Sequence, residues 1–119
     1  MRNLAPDITR QRLLIEAKYR KPVVTKQDVE RFLCDLPQAL DLRIYCDPVV
    51  YSPGGEGKEA NQGYDGFVAL IDSGISIYVW ENAKFLSVVI YTCKAFDGDK
   101  ALQFTKNVFD ISEAEILPF

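Results

Sequence analysis

From Arg12 to Tyr19 apolar and polar positions alternate, with Leu13, Ile15, Ala17 and Tyr19 on one side and Arg12, Glu16 and Lys18 on the other. A period of two predicts a half-buried strand, preceded by a loose leader. The period then changes. Thr25 and Asp28 form a capping pair, and Val29, Phe32, Leu33 and Leu36 follow at helical spacing, so the pattern predicts an amphipathic helix that stops near Pro37. Leu42 to Tyr51 reads as a second strand, at an edge or bulged because of Pro48. Ser52 to Gly63 is rich in glycine and poor in apolar residues, and reads as a mobile surface loop long enough for a lid or a partner contact. It is no phosphate cradle, because such a loop opens a helix and this one leads into a strand.

Beyond Tyr64 the pattern is β throughout: residues 66–71, 75–80 and 85–93, joined by short links, which predicts an antiparallel meander. Asp72-Ser73-Gly74 reads as a tight hairpin turn, since Asp and Gly accept positive φ. In the middle strand Ile75, Ile77 and Val79 share a face toward the helices, while Ser76, Tyr78 and Trp80 share the other, left to line a cleft or an oligomer contact. Asp97 or Asp99 caps a second helix with Ala101, Phe104, Thr105 and Val108 as its inward stripe and Leu102 beside it; residues 111–117 close the chain as an alternating strand. The order predicts an α+β two-layer sandwich, a mostly antiparallel sheet with helices on one face, as one domain over residues 1–119.

Composition narrows the chemistry. A chain of 119 residues and 48% hydrophobic content suits one core. A net charge of −3 leaves no basic footprint for phosphate backbones, so no nucleic-acid partner is expected. No membrane span or signal peptide is legible, which makes a cytoplasmic protein the expectation. Cys34, Cys46 and Cys93 are odd in number and lack metal-ligand spacing, so free thiols and no metal are expected; Cys34, beside the first helical stripe, reads as a small buried thiol. Histidine is absent. Any acid or base work therefore falls to carboxylates, Cys, Tyr, Lys or a backbone-derived group.

With Asp72-Ser73-Gly74, Trp80-Glu81-Asn82, Tyr91-Thr92-Cys93 and Lys100-Ala101 in ungapped register from about Gly66 to Thr105, the chain resembles the prokaryotic S-adenosylmethionine decarboxylases. That family reads Glu-Ser-His, Trp-Pro-Glu and Phe-Thr-Cys at these places, before an Ala-containing helix. The resemblance implies a protein of the polyamine-biosynthesis lineage and a homodimer. It also implies self-cleavage at Asp72-Ser73: the serine attacks the preceding carbonyl, the peptide becomes an ester, and β-elimination leaves a pyruvoyl group derived from Ser73. That group is the electron sink when carbon dioxide leaves an amino-acid substrate, with no metal. By the same resemblance Cys93 returns a proton to the product, and Glu16 lies where the family has an acidic group.

The departures fall on the same positions. Tyr78 stands five residues after the serine, where the family has a histidine that assists cleavage, and Gly74 replaces another directly after it. A phenol with a pKa near 10 is a slow base at neutral pH. Asp72 replaces Glu, and the Gly-rich loop replaces an aromatic segment that helps hold adenine. The expectation is a diverged member that does not process itself, with Ser73, Cys93 and Tyr78 as the candidate catalytic residues. Alternatives are an active pyruvoyl-dependent decarboxylase of S-adenosylmethionine or another amino acid, and a dimeric binding or regulatory module.

Overall fold

The computed structural model describes residues 1–52 and 62–119. The elements run β1 (Gln11–Tyr19), α1 (Lys26–Ala39), β2 (Val49–Tyr51), β3 (Gly63–Leu70), β4 (Ser73–Trp80), β5 (Phe85–Thr92), α2 (Gly98–Phe109) and β6 (Ile111–Pro118). The strands form a six-stranded sheet in the order β2-β3-β4-β5-β1-β6, antiparallel at every junction. β3, β4 and β5 make the expected meander. β1 then inserts between β5 and β6, so the two ends of the chain meet in the sheet.

Alternation along these strands sorts side chains onto two faces. Ile15, Val68, Ile75, Ile77, Val88 and Ile90 are fully buried under α1 and α2. The helices also meet each other through Phe32, whose ring lies 6.0 Å from that of Phe104 and 5.1 Å from that of Phe109. Burying such a side chain contributes about 2–3 kcal/mol. α1 approaches the sheet closely because Gly66 has no side chain: a Cβ there would lie 2.8 Å from Leu33 Cδ1. This is the α+β two-layer sandwich that the pattern predicts, and among the described residues no helix covers the other face of the sheet.

The caps follow the sequence. Thr25 Oγ1 accepts the Asp28 N–H at 3.1 Å, and Asp28 Oδ2 accepts the Thr25 N–H at 2.9 Å. Asp97, rather than Asp99, caps α2 by accepting the Lys100 N–H at 3.1 Å. Ala101, Thr105 and Phe109 form the fully buried stripe of α2, with Phe104 and Val108 half-buried beside it. Cys34 is half-buried, and burial, reinforced by Asp35, Asp47 and Glu30, raises its thiol pKa.

Four local expectations change. Pro37 lies inside α1, which runs on to Ala39. The buried ring extends the apolar stripe, and the Leu40 N–H closes the helix on the carbonyls of Leu36 and Pro37, both at 3.1 Å. Of residues 42–51, only Val49–Tyr51 form a strand; ahead of Pro48, Ile44 makes a single bridge to Leu70. The hairpin loop between β3 and β4 is Ile71-Asp72, closed by the Leu70–Ser73 pair, and β4 begins at Ser73. Asp72 alone takes the positive φ there, 58°. Finally, the leader folds: Ile8 N–H bonds Ala5 O at 3.0 Å, and Arg10 holds Ala5 and Asn3. The Gly-rich loop falls, from 53 to 61, outside the described residues.

Candidate active site

Ser73 opens β4 and Cys93 follows the end of β5, so the antiparallel register carries two residues twenty positions apart to one end of the sheet. There Ser73 Oγ accepts the Cys93 backbone N–H at 3.0 Å. Both are half-buried and line a pocket of about 240 Å³ with Asp41, Arg43, Leu70, Asp72 and Lys94. The segment across from them is held by backbone bonds, Ile71 N–H to Arg43 O at 3.1 Å and Tyr45 N–H to Ala69 O at 2.9 Å. Lys94 Nζ donates to Asp41 O at 2.9 Å. A second concavity, of about 450 Å³, adjoins this one through Asp41 and Lys94.

Thr92, a member of the Tyr91-Thr92-Cys93 motif, and Gln11, which no sequence pattern singles out, set the position of Cys93. The buried Thr92 hydroxyl lies between the carbonyls of Gln11, at 3.1 Å, and Lys94, at 2.7 Å. The Gln11 side-chain amide grips Phe96 in both directions, donating to its carbonyl at 2.8 Å and accepting its N–H at 2.9 Å. These bonds fasten the bend at residues 93–96 to β1. Gln11 is 85 positions from Phe96 in sequence, and no local pattern signals such a pair.

Tyr78 is not brought to this pocket. It lies five residues along β4, about 17 Å at the usual strand rise, and on the opposite face of the sheet from Ser73. Its rung runs from Tyr51 through Asp65, Tyr78, Ser87 and Glu16 to Glu115. Within that rung the Ser87 hydroxyl donates to the Glu16 carboxylate. The Tyr78 ring also neighbours Trp80, at 6.5 Å between centroids, and Trp80 neighbours Phe85 at 5.3 Å. The expected polar-aromatic face is therefore real, and Glu16 belongs to it rather than to the serine pocket.

Gly74 is also on the open face, under the ring of Phe67: a Cβ at residue 74 would lie 2.8 Å from Phe67 Cε2 and 3.0 Å from its Cζ. Among the described residues no group of three or more Cys, Asp or Glu is arranged to hold a metal ion. No described helix is long and apolar enough to cross a membrane.

Comparison with known proteins agrees with the architecture. The sequence profile described as S-adenosylmethionine decarboxylase matches residues 12–118. The fold is similar to the crystal structure of the adenosylmethionine decarboxylase from Aquifex aeolicus, with a TM-score of 0.74 over 94% of this chain and 89% of that one, at 17% identity. No curated protein sequence matches the chain.

Proposed function

Since the chain belongs to the S-adenosylmethionine decarboxylase family, whose members are in general pyruvoyl-dependent, we propose that it is a member of the polyamine-biosynthesis lineage that keeps the serine–cysteine pocket but leaves Ser73 as a serine. Ser73 fits the place of a pyruvoyl precursor: it is half-buried, follows a residue held at positive φ, and lies beside Cys93 in the wall of a pocket of about 240 Å³. The proton chemistry does not fit. Self-cleavage requires the hydroxyl to lose its proton as its oxygen attacks the preceding carbonyl.

The observation that carries the reading is the hydrogen bond at Ser73. Among the described residues its Oγ is bonded only to the Cys93 N–H, which donates to it. A donated hydrogen bond takes no proton from the oxygen, and among the described residues no group accepts a hydrogen bond from the Ser73 hydroxyl. Tyr78, at the place of the family's assisting histidine, sits on the other face of the sheet. Asp72, next in the chain, is exposed and directs no hydrogen bond to the serine.

The intact mass of the purified protein tests this. One species at the full-length mass is expected. Two fragments, residues 1–72 and a chain starting at a blocked residue 73, overturn the reading. They would support the second one, a slow pyruvoyl-dependent decarboxylase of S-adenosylmethionine or another amino acid, which the retained contact of Ser73 with Cys93 favours.

The open face of the sheet supports a homodimer. Its central rung, Val49, Phe67, Ser76, Val89, Leu14 and Leu117, is apolar but for one serine. Phe67, Val49 and Leu117 are exposed, and a continuous apolar rung of this kind suits a second copy better than solvent. Sedimentation should give a dimer mass; a monomer at every concentration sinks this part of the proposal.

A further inference from the structure

The leader ahead of β1 builds a second pocket. Residues 1–10 form no regular element, yet they are tied together: Ala5 N–H donates to Asn3 Oδ1 at 3.0 Å, Arg10 Nη2 donates to the same oxygen at 2.7 Å, and Arg10 Nη1 reaches Ala5 O at 3.4 Å. The folded leader lies beside Tyr91 and Arg12 and encloses about 330 Å³, at the lower end of the range for small-molecule sites. Most of the lining precedes residue 12, where the family match begins. No residue is shared with the pocket of Ser73 and Cys93.

Its charge is one-sided. Arg2, Arg10 and Arg12 line it, and no carboxylate side chain does, although the chain as a whole carries a net charge of −3. Arg12 is the critical member. Its guanidinium lies over the Phe119 ring, 5.4 Å from the centroid, a contact that supplies no acceptor oxygen to its N–H groups. Among the described residues the guanidinium has no hydrogen-bond or ion-pair partner, and its Nε atom is buried without one. A buried donor on a cation without an acceptor is costly. An oxyanion relieves that cost, because the planar fork of a guanidinium matches a carboxylate or phosphate with two parallel bonds. Leu4, Ile8 and Tyr91 supply an apolar wall for the body of such a ligand.

We propose that the leader, Arg12 and Tyr91 form a binding pocket for a small molecule bearing a carboxylate or phosphate group. The assignment is independent of whether Ser73 is processed. Calorimetric titration of the full chain with succinate and, separately, with inorganic phosphate at constant ionic strength tests it and tells the two oxyanions apart. Saturable binding of at least one is expected, weakened about tenfold or more in Arg12→Gln and in Arg10→Gln. Arg2→Gln, which alters an exposed side chain of the leader, should also weaken binding, and it keeps the test open should Arg12→Gln unfold. Arg43→Gln, in the serine pocket, should leave binding unchanged. Failure of both anions to saturate by about 10 mM, wild-type affinity in the folded variants of all three leader-pocket arginines, or loss of binding in Arg43→Gln would each overturn the assignment.

Discussion

The two faces of the sheet are built from the same strands and differ in almost everything else. Under the helices, Ile15, Ile75, Ile77, Val88 and Ile90 are sealed from water together with Phe32 and Leu33. On the open side the same strands present Phe67, Tyr78, Trp80 and Tyr91 among Arg12, Glu16, Lys18 and Asp65. Burial leaves the covered face little freedom beyond apolar side chains of the right volume. The open face is under no such constraint from the helices, and Gly74 and Tyr78 lie on it. The covered face holds the fold together, while the open one presents its side chains outward.

Substitutions on either side test that division. Phe32→Ala, which empties the junction of α1, α2 and the sheet, should cost about 3–5 kcal/mol in urea unfolding; a loss below about 1 kcal/mol would mean that the covered face is not the stabilising one. Next in size is Thr25→Ala, which removes the cap of the helix resting on β3 and should cost about 1 kcal/mol by the same measurement. Phe67→Ser on the open face should change the stability of the folded chain by about 0.5 kcal/mol or less, yet weaken self-association in sedimentation. An equal loss of stability from Phe67→Ser and Phe32→Ala would erase the contrast between the faces.

The smallest effect depends on pH. The Thr25 backbone N–H holds the Asp28 carboxyl below its ordinary pKa, against some desolvation, with help from the Thr25 hydroxyl, Lys21 and Arg31. A depressed folded pKa means that the native state favours the ionised form. Its contribution is whole above the unfolded value of about 3.9 and is lost as pH falls through the lower, folded one. Asp28→Asn should therefore be less stable than the parent at neutral pH and converge with it in strong acid. A difference that stays constant across that range would show that the charge of Asp28 contributes nothing.

Much of the fold is legible because it rests on local periodicity. The stripe from Val29 to Leu36, the alternation from Ile75 to Trp80 and the cap at Asp97 each specify their own element. Pro37 misleads because its cost, a missing N–H and a crowded carbonyl one turn back, is tolerable in a last turn whose ring is buried in the core. Residues 42–47 look like strand but reach β3 through only one bridge and a few backbone bonds. The insertion of β1 between β5 and β6 depends on pairings from 67 residues apart (Lys18 with Phe85) to 105 (Leu13 with Pro118), which no window of sequence contains. At the candidate site, the spacing of Ser73 and Cys93 across one hairpin is enough to foresee their meeting. The grip of Gln11 on Phe96 arises only once β1 and the bend at residues 93–96 are folded together, and the gathering of Arg2, Arg10 and Arg12 only once the leader closes through Asn3, Ala5 and Arg10.

The contact between Phe67 and Gly74 couples two neighbouring strands of the open face. The ring tip lies where a side chain at residue 74 would begin, so any larger residue there displaces an exposed aromatic ring and not the backbone. The occupants of the two positions are therefore chosen as a pair: what residue 67 can present to its surroundings depends on how little stands at residue 74.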